Sequence, residues 1–151
     1  MLNNLRTIFS RVISLTFASY ALFGYSTDSL AWSADGHTSI GILAISQLHA
    51  ESRHELESLI GPLDDHAMEK ACNWPDEIRE TEEWDWSARF HYINIPRGDF
   101  VYLESRDCPD QQCATQAIKR YATELADQEA PREQRMQAFA WLCHLVGDLH
   151  Q

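Results

Sequence analysis

Apolar positions recur at helical rather than alternating spacing from His37 onward. Ile40, Leu43, Ala44 and Leu48 form one stripe, with Asp35 placed as its N-cap, which predicts a first helix running to about Ala50. Leu56, Leu59 and Ile60 predict a short second helix stopped by Gly61-Pro62, and Asp65 to Glu82 holds one or two more. The pattern then breaks. Tyr92, Ile93, Ile95, Phe100, Val101 and Tyr102 gather around Pro96-Arg97-Gly98, so Arg89 to Asp107 reads as a loop or irregular extended segment between two helical halves. Ala114, Ala117, Ile118, Tyr121, Ala122 and Leu125 mark a further helix. Pro131 starts the last, continued by Met136, Phe139, Leu142, Cys143 and Val146. The class is all-α, with no internal repeat.

The last helix meets Gln151 without a capping residue, so the chain reads as a fragment or a product cut short. The other end reads as a leader. Arg6 and Arg11 precede the apolar run Val12 to Tyr25, and a polar stretch follows that ends in Ser29-Leu30-Ala31, the pattern of a secretory signal peptide over residues 1–31. The run falls short of the roughly 20 residues a membrane-spanning helix needs. Cleavage after Ala31 would start the mature chain at Trp32 and leave residues 32–151 as one helical domain. The alternative is an uncleaved anchor.

Composition changes the picture in one respect. The chain carries 12 Lys+Arg against 23 Asp+Glu, net −11, and loses two Arg and one Asp with the leader. Without a Lys/Arg run there is no electrostatic reason to bind duplex DNA, because polyanion affinity comes mostly from cations that neutralise phosphates. On charge alone, nucleic acid is excluded.

Export implies an oxidising compartment, and Cys108 and Cys113 flank Pro-Asp-Gln-Gln closely enough to close a small disulfide loop. Cys72 has no evident role, and Cys143, in the apolar stretch Phe139 to Val146, reads as a buried thiol or the partner of a cysteine not present here. No Cys-x-x-Cys pair supports a zinc site built from cysteines.

Seven histidines remain to be explained. His49, His54 and His66 lie in polar helical surroundings and read as solvated. His144 and Asp148 are four apart on a helix, so both can reach one metal ion or a bridged pair. Asp76 follows Asn73-Trp74-Pro75 and stands three residues before Arg79, which places a carboxylate and a guanidinium on one face, as phosphoester chemistry requires. The plainer structural reading of Asp76 is a residue that caps or opens a helix after Trp-Pro. His91 begins the apolar run His-Tyr-Ile-Asn-Ile-Pro, where an imidazole is poorly solvated and metal ligation would satisfy it.

Taken in order, Trp32 with His37 five residues on, Asn-Trp-Pro-Asp-Glu-Ile-Arg (73–79), His-Tyr-Ile-Asn-Ile-Pro (91–96), the Cys108/Cys113 loop and His-Leu-Val-Gly-Asp-Leu-His-Gln (144–151) resemble the zinc-dependent nucleases specific for single strands, the S1/P1 nuclease family. The related zinc phospholipases C also begin with a ligand Trp, but their next His lies farther from it. The resemblance implies that Trp32 binds zinc through its free amine and carbonyl, with His37 and Asp148 completing that ion's protein ligands. Asp148 would bridge to a second zinc held by Asp76, His91 and His144, and Asp76 would orient the attacking hydroxide. Arg79 would stabilise charge on the phosphoryl oxygens and Tyr92 would stack on an unpaired base. Asn94 stands where some relatives carry a carboxylate that reads the base edge. The family's third zinc takes its ligands from residues beyond His-Gln, so the resemblance implies two partial sites within this chain. His150 is not among the family's ligands.

The implied activity is secreted, zinc-dependent hydrolysis of single-stranded DNA and RNA and of nucleoside 3′-monophosphates, leaving 5′-phosphate products from the strands. The alternatives are an inactive zinc- or nucleic-acid-binding remnant and a zinc phospholipase C. Two zinc ions would also revise the charge argument, since they place +4 where a phosphate must sit.

Overall fold

A computed structural model describes residues 33–150, and among these all regular structure is helical, with no strand. Trp32, the residues read as a leader and Gln151 lie outside the described residues. Six α-helices follow one another: α1 (Ala34–Ser46), α2 (Ala50–Ile60), α3 (Asp65–Ile78), the single turn α4 (Glu104–Asp107), α5 (Ala114–Ala126) and α6 (Arg132–Leu149). Two 3₁₀ segments, Asp85–His91 and Pro109–Gln111, lie between α3 and α5.

The helix boundaries have local causes. α1 begins after Ser33 rather than after Asp35, which sits in the first turn where its charge opposes the helix dipole's positive end. α3 is capped by Asp64, whose carboxylate accepts the Ala67 N–H at 2.9 Å. Pro75 lies inside α3, yet the helix continues to Ile78, so Asp76 stands within a helix rather than opening one. α2 ends at Gly61, where φ is +91°, a value a residue with a Cβ reaches only under strain. α6 begins directly after Pro131, its N-cap, close to the start predicted from sequence.

The segment read as irregular is partly ordered. Asp85–His91 forms a 3₁₀ helix whose buried residues, Ser87 and Phe90, are three apart, the spacing at which side chains eclipse in this helix type. Only 92–103 lacks regular structure, and it is tied to α5 by the Ala114 N–H, which donates to the Tyr92 carbonyl at 3.1 Å.

α6 is the central element, packed against α1, α2, α3, α5 and the first 3₁₀ helix. One face carries Trp141 and Leu145 into an aromatic core with Phe90, Ala117, Tyr121 and Ala138. Trp141 and Tyr121 stack with centroids 5.3 Å apart, and Phe90 meets Trp141 edge-on at 5.9 Å. Another face turns Phe139 and Cys143 toward Ile45, Met68 and Cys72. Burial of each Leu- or Phe-sized side chain stabilises by about 1.5–3 kcal/mol, which fixes the position of α6 and of whatever side chains it carries between these faces.

The cysteines correct the sequence reading. Cys72 and Cys143 form a disulfide across 71 residues with a Cα–Cα distance of 5.0 Å, so Cys143 is neither a thiol nor the partner of an absent cysteine. No local pattern announces the pair, because α3 and α6 bring it together only in the folded chain. Cys108 and Cys113 are bonded as expected.

Candidate metal centre

Three helices and the 3₁₀ segment place His37 (α1), Asp76 (α3), His91 (3₁₀) and His144 with Asp148 (α6) in one cluster. Packing sets each of them. Gly147 lies against His37, where a Cβ would stand 2.8 Å from Nδ1, so α1 comes this close because α6 has no side chain there. Asn73 Nδ2 donates to Thr38 Oγ1 at 3.1 Å and to the Glu69 carbonyl at 2.7 Å, tying α3 to α1 beside His37. His91 rests edge-on against Trp141, with ring centroids 5.7 Å apart.

His144 is fully buried and stacks on His37 at 3.9 Å. Its Nδ1 donates to the Cys72 carbonyl at 2.8 Å, which leaves Nε2 to face the cluster. Nε2 lies 2.9 Å from His91 Nδ1, 3.2 Å from Asp148 Oδ2 and 3.5 Å from Asp76 Oδ1. His91 Nδ1 lies 3.1 Å from Asp148 Oδ2 and 3.5 Å from Asp76 Oδ1. The other carboxylate oxygen of Asp148 faces His37 Nε2 at 3.5 Å. One aspartate therefore faces two sides, His37 on one oxygen and His91 with His144 on the other.

The donor set fits a metal ion. A tetrahedral zinc with bonds of about 2.0–2.1 Å needs ligand atoms about 3.3–3.4 Å apart. The separations of 2.9–3.5 Å bracket that value. His91 Nε2 is buried with no hydrogen-bond partner among the described residues, so His91 makes its side-chain polar contacts through Nδ1, at the cluster. Two groups, His37/His144/Asp148 and Asp76/His91/His144, each have all ligand atoms within 4.8 Å of one another.

Electrostatics favour cation binding. Burial raises the Asp148 carboxyl, but hydrogen bonds from His144 and His91 outweigh it and hold the group well below the usual carboxylate range. Burial likewise opposes ionisation of Asp76, and the His144 hydrogen bond and Arg79 charge bring its pKa down. For His144 burial lowers the pKa, while the hydrogen bonds to Asp148 and Asp76 win and push it up to about 9. His37 falls below its ordinary value through burial and then the charge of His144. Without metal, the cluster thus holds a proton between its carboxylates.

Access is one-sided. The imidazoles close the back of the site, whereas the Asp76 and Arg79 side chains are about 40% exposed. Arg79 Nη1 meets Asp76 Oδ1 at 3.0 Å, as their three-residue spacing predicts. Tyr92, next to His91, is exposed, and Asn94 follows it on the same irregular segment. His49, His54, His66 and His150 are all exposed and outside the cluster. Sequence reasoning missed the supports: Trp141 behind His91, the Cys72 carbonyl behind His144, and Gly147 opposite His37.

Comparison with known proteins places the chain among nucleases. Residues 32–151 match the family model described as S1/P1 Nuclease. The chain is 29% identical over 161 aligned positions to Endonuclease 4 of Arabidopsis thaliana, covering all of this chain and 52% of that protein. It is 32% identical to Endonuclease 1 of the same plant, covering 80% of this chain and 43% of that one. To Nuclease P1 of Penicillium citrinum it is 29% identical, covering 80% of this chain and 46% of the relative. The chain spans about half the length of the curated relatives it matches. With the family match running from Trp32 through the whole helical unit, the chain belongs to the S1/P1 nuclease family.

Proposed function

We propose that this chain is the metal-binding part of a zinc-dependent nuclease that hydrolyses phosphodiester bonds in single-stranded DNA and RNA and the phosphate ester of nucleoside 3′-monophosphates. The observation that carries the reading is the convergence of His91, His144, Asp76 and Asp148 within 2.9–3.5 Å, a donor set suited to zinc. Asp76, His91 and His144 would hold one ion. Asp148 would bridge to a second, shared with His37 and the amine and carbonyl of Trp32. Bound zinc supplies water ionised near neutral pH and a clamp for in-line displacement at phosphorus.

The chain's own residues do the rest. Asp76, at the open side of the cluster, accepts a proton from the nucleophile and orients it. Arg79 keeps Nη1 on Asp76, and with its side chain partly exposed its remaining N–H groups are available to donate to phosphoryl oxygens. The exposed Tyr92 ring offers a face to an unpaired base, which selects single strands, and the Asn94 amide offers both donors and acceptors to a base edge.

Residues 1–31 act as the signal peptide in this reading and 32–151 as the helical domain, so the protein works in the periplasm or outside the cell. The two disulfides suit that oxidising setting. No helix among the described residues is long and apolar enough to cross a membrane.

The test is cleavage of a single-stranded oligonucleotide and a matched duplex by zinc-loaded mature protein, alongside a form with one residue added before Trp32. Zinc-dependent cleavage of the single strand alone, weakened by the added residue, is expected. Equal cleavage of both substrates, or a mature chain that retains no zinc, would refute the assignment.

A further inference from the structure

We propose that the Cys72–Cys143 disulfide is a positioning element for the metal centre, so that its oxidation sets the chain's affinity for zinc. The inference rests on the metal-site reading above and deepens it.

The bridge joins the two helices that supply most of the ligands. Cys72 lies four residues before Asp76 on α3, and Cys143 immediately precedes His144 on α6. The Cys72 carbonyl also accepts the Nδ1–H of His144 at 2.8 Å, so the half-cystine touches a proposed ligand through its backbone as well. The third ligand helix sits on the sulfurs. A Cβ at Gly41, four residues after His37 on α1, would lie 2.5 Å from Cys72 Sγ and 3.0 Å from Cys143 Sγ. The bridge is thus the common contact of the helices that carry His37, Asp76, His144 and Asp148.

Opening it must move them. Two thiol sulfurs cannot stay at the covalent separation of about 2 Å and retreat to about 4 Å, while Gly41 leaves no slack on the α1 side. Metal sites tolerate displacements of only about 0.5 Å before geometry is lost. The Cys108–Cys113 bridge differs, since it spans five residues and joins no ligand-bearing helices.

Closing the bridge passes two electrons and two protons from Cys72 and Cys143 to the disulfide of an exchange partner, which leaves as a dithiol. Cys72 is fully buried beneath α1, so this exchange precedes the docking of α1. Oxidation then comes before metal loading.

The experiment measures zinc affinity by competition with a chromophoric chelator, together with the visible spectrum after cobalt substitution. It compares the oxidised chain, Cys72→Ala/Cys143→Ala, Cys108→Ala/Cys113→Ala refolded from denaturant with and without a phosphine reductant, and Leu59→Ala. Leu59→Ala loosens α2, which carries no ligand, and reports the effect of destabilisation alone. Loss of the Cys72–Cys143 bridge, by mutation or by reduction of the Cys108→Ala/Cys113→Ala protein, is expected to weaken zinc binding about tenfold or more and to alter the cobalt spectrum. The oxidised Cys108→Ala/Cys113→Ala and Leu59→Ala proteins should bind like the parent. If the double alanine variant does not fold, the reduced Cys108→Ala/Cys113→Ala protein carries the comparison. Unchanged affinity without the bridge, or an equal loss in Leu59→Ala, overturns the inference. An oxidised parent that binds no zinc overturns the metal-site reading itself.

Discussion

His144 Nε2 and His91 Nδ1 stand 2.9 Å apart, each also within 3.2 Å of the same oxygen of Asp148. Burial disfavours a charged His144, but the Asp148 and Asp76 carboxylates beside it favour that form and raise its pKa. On the proposed reading the same three atoms would hold a metal ion in place of its proton.

The first prediction is a pH dependence of the metal-free protein. The His144 pKa of about 9 lies above its unfolded value, so its contribution to stability is complete below about pH 6.5 and is lost as pH rises toward 9. The Asp148 carboxyl is depressed, so its contribution is present above about pH 4 and is lost as pH falls. Urea midpoints of chelator-treated protein should therefore peak near pH 5–6. Zinc should remove the decline at high pH, because binding releases the His144 proton. A metal-free midpoint that rises steadily from pH 6 to 9 would contradict the assignment of that proton.

Gly147→Ala should damage the site from the rear. The added methyl would stand 2.8 Å from His37 Nδ1, and overpacking of this kind costs about 1–3 kcal/mol. Zinc binding should weaken with it, as His37 is driven from Asp148. Denaturation and zinc titration of the variant check both effects.

Trp141→Ala should cost about 3–5 kcal/mol, since the ring is fully buried and contacts Phe90, Tyr121 and His91. Trp141→Phe should cost much less, because the indole N–H has no hydrogen-bond partner among the described residues and none is lost. Paired chemical denaturation curves separate the two. Equal losses would mean that the indole N–H contributes after all.

Much of this was legible in the sequence where the cause is local. The stripe Ala114 to Leu125 and the start at Pro131 gave α5 and α6 nearly to the residue, and the spacings of Asp76/Arg79 and His144/Asp148 anticipated two pairs that meet. The 3₁₀ helix was missed because its three-residue spacing of Ser87 and Phe90 matches neither the helical nor the alternating template. The Cys72–Cys143 bond was missed because it depends on how α3 crosses α6, which no window of sequence contains. Each cysteine did stand on a helix already credited with a metal ligand, and that coincidence was the available clue.

Two substitutions separate chemistry from binding in the proposed reaction. Arg79→Ala should lower kcat by on the order of 10²–10³-fold through lost stabilisation of phosphoryl charge. Tyr92→Ala should mainly raise KM for oligonucleotides, by the equivalent of about 1–3 kcal/mol of stacking. Steady-state kinetics on a single-stranded oligonucleotide read both. A Tyr92→Ala variant that loses kcat at unchanged KM would move Tyr92 from binding to the reaction centre.

The central claim is that His37, Asp76, His91, His144 and Asp148 form a zinc site, and His144 belongs to both donor groups. Native mass spectrometry of the mature chain, purified with zinc and desalted, measures it most directly. The account predicts bound zinc in the parent and in His150→Ala, an exposed histidine on the same helix's end, and its loss in a folded His144→Ala. Equal zinc content in the parent and His144→Ala would contradict it.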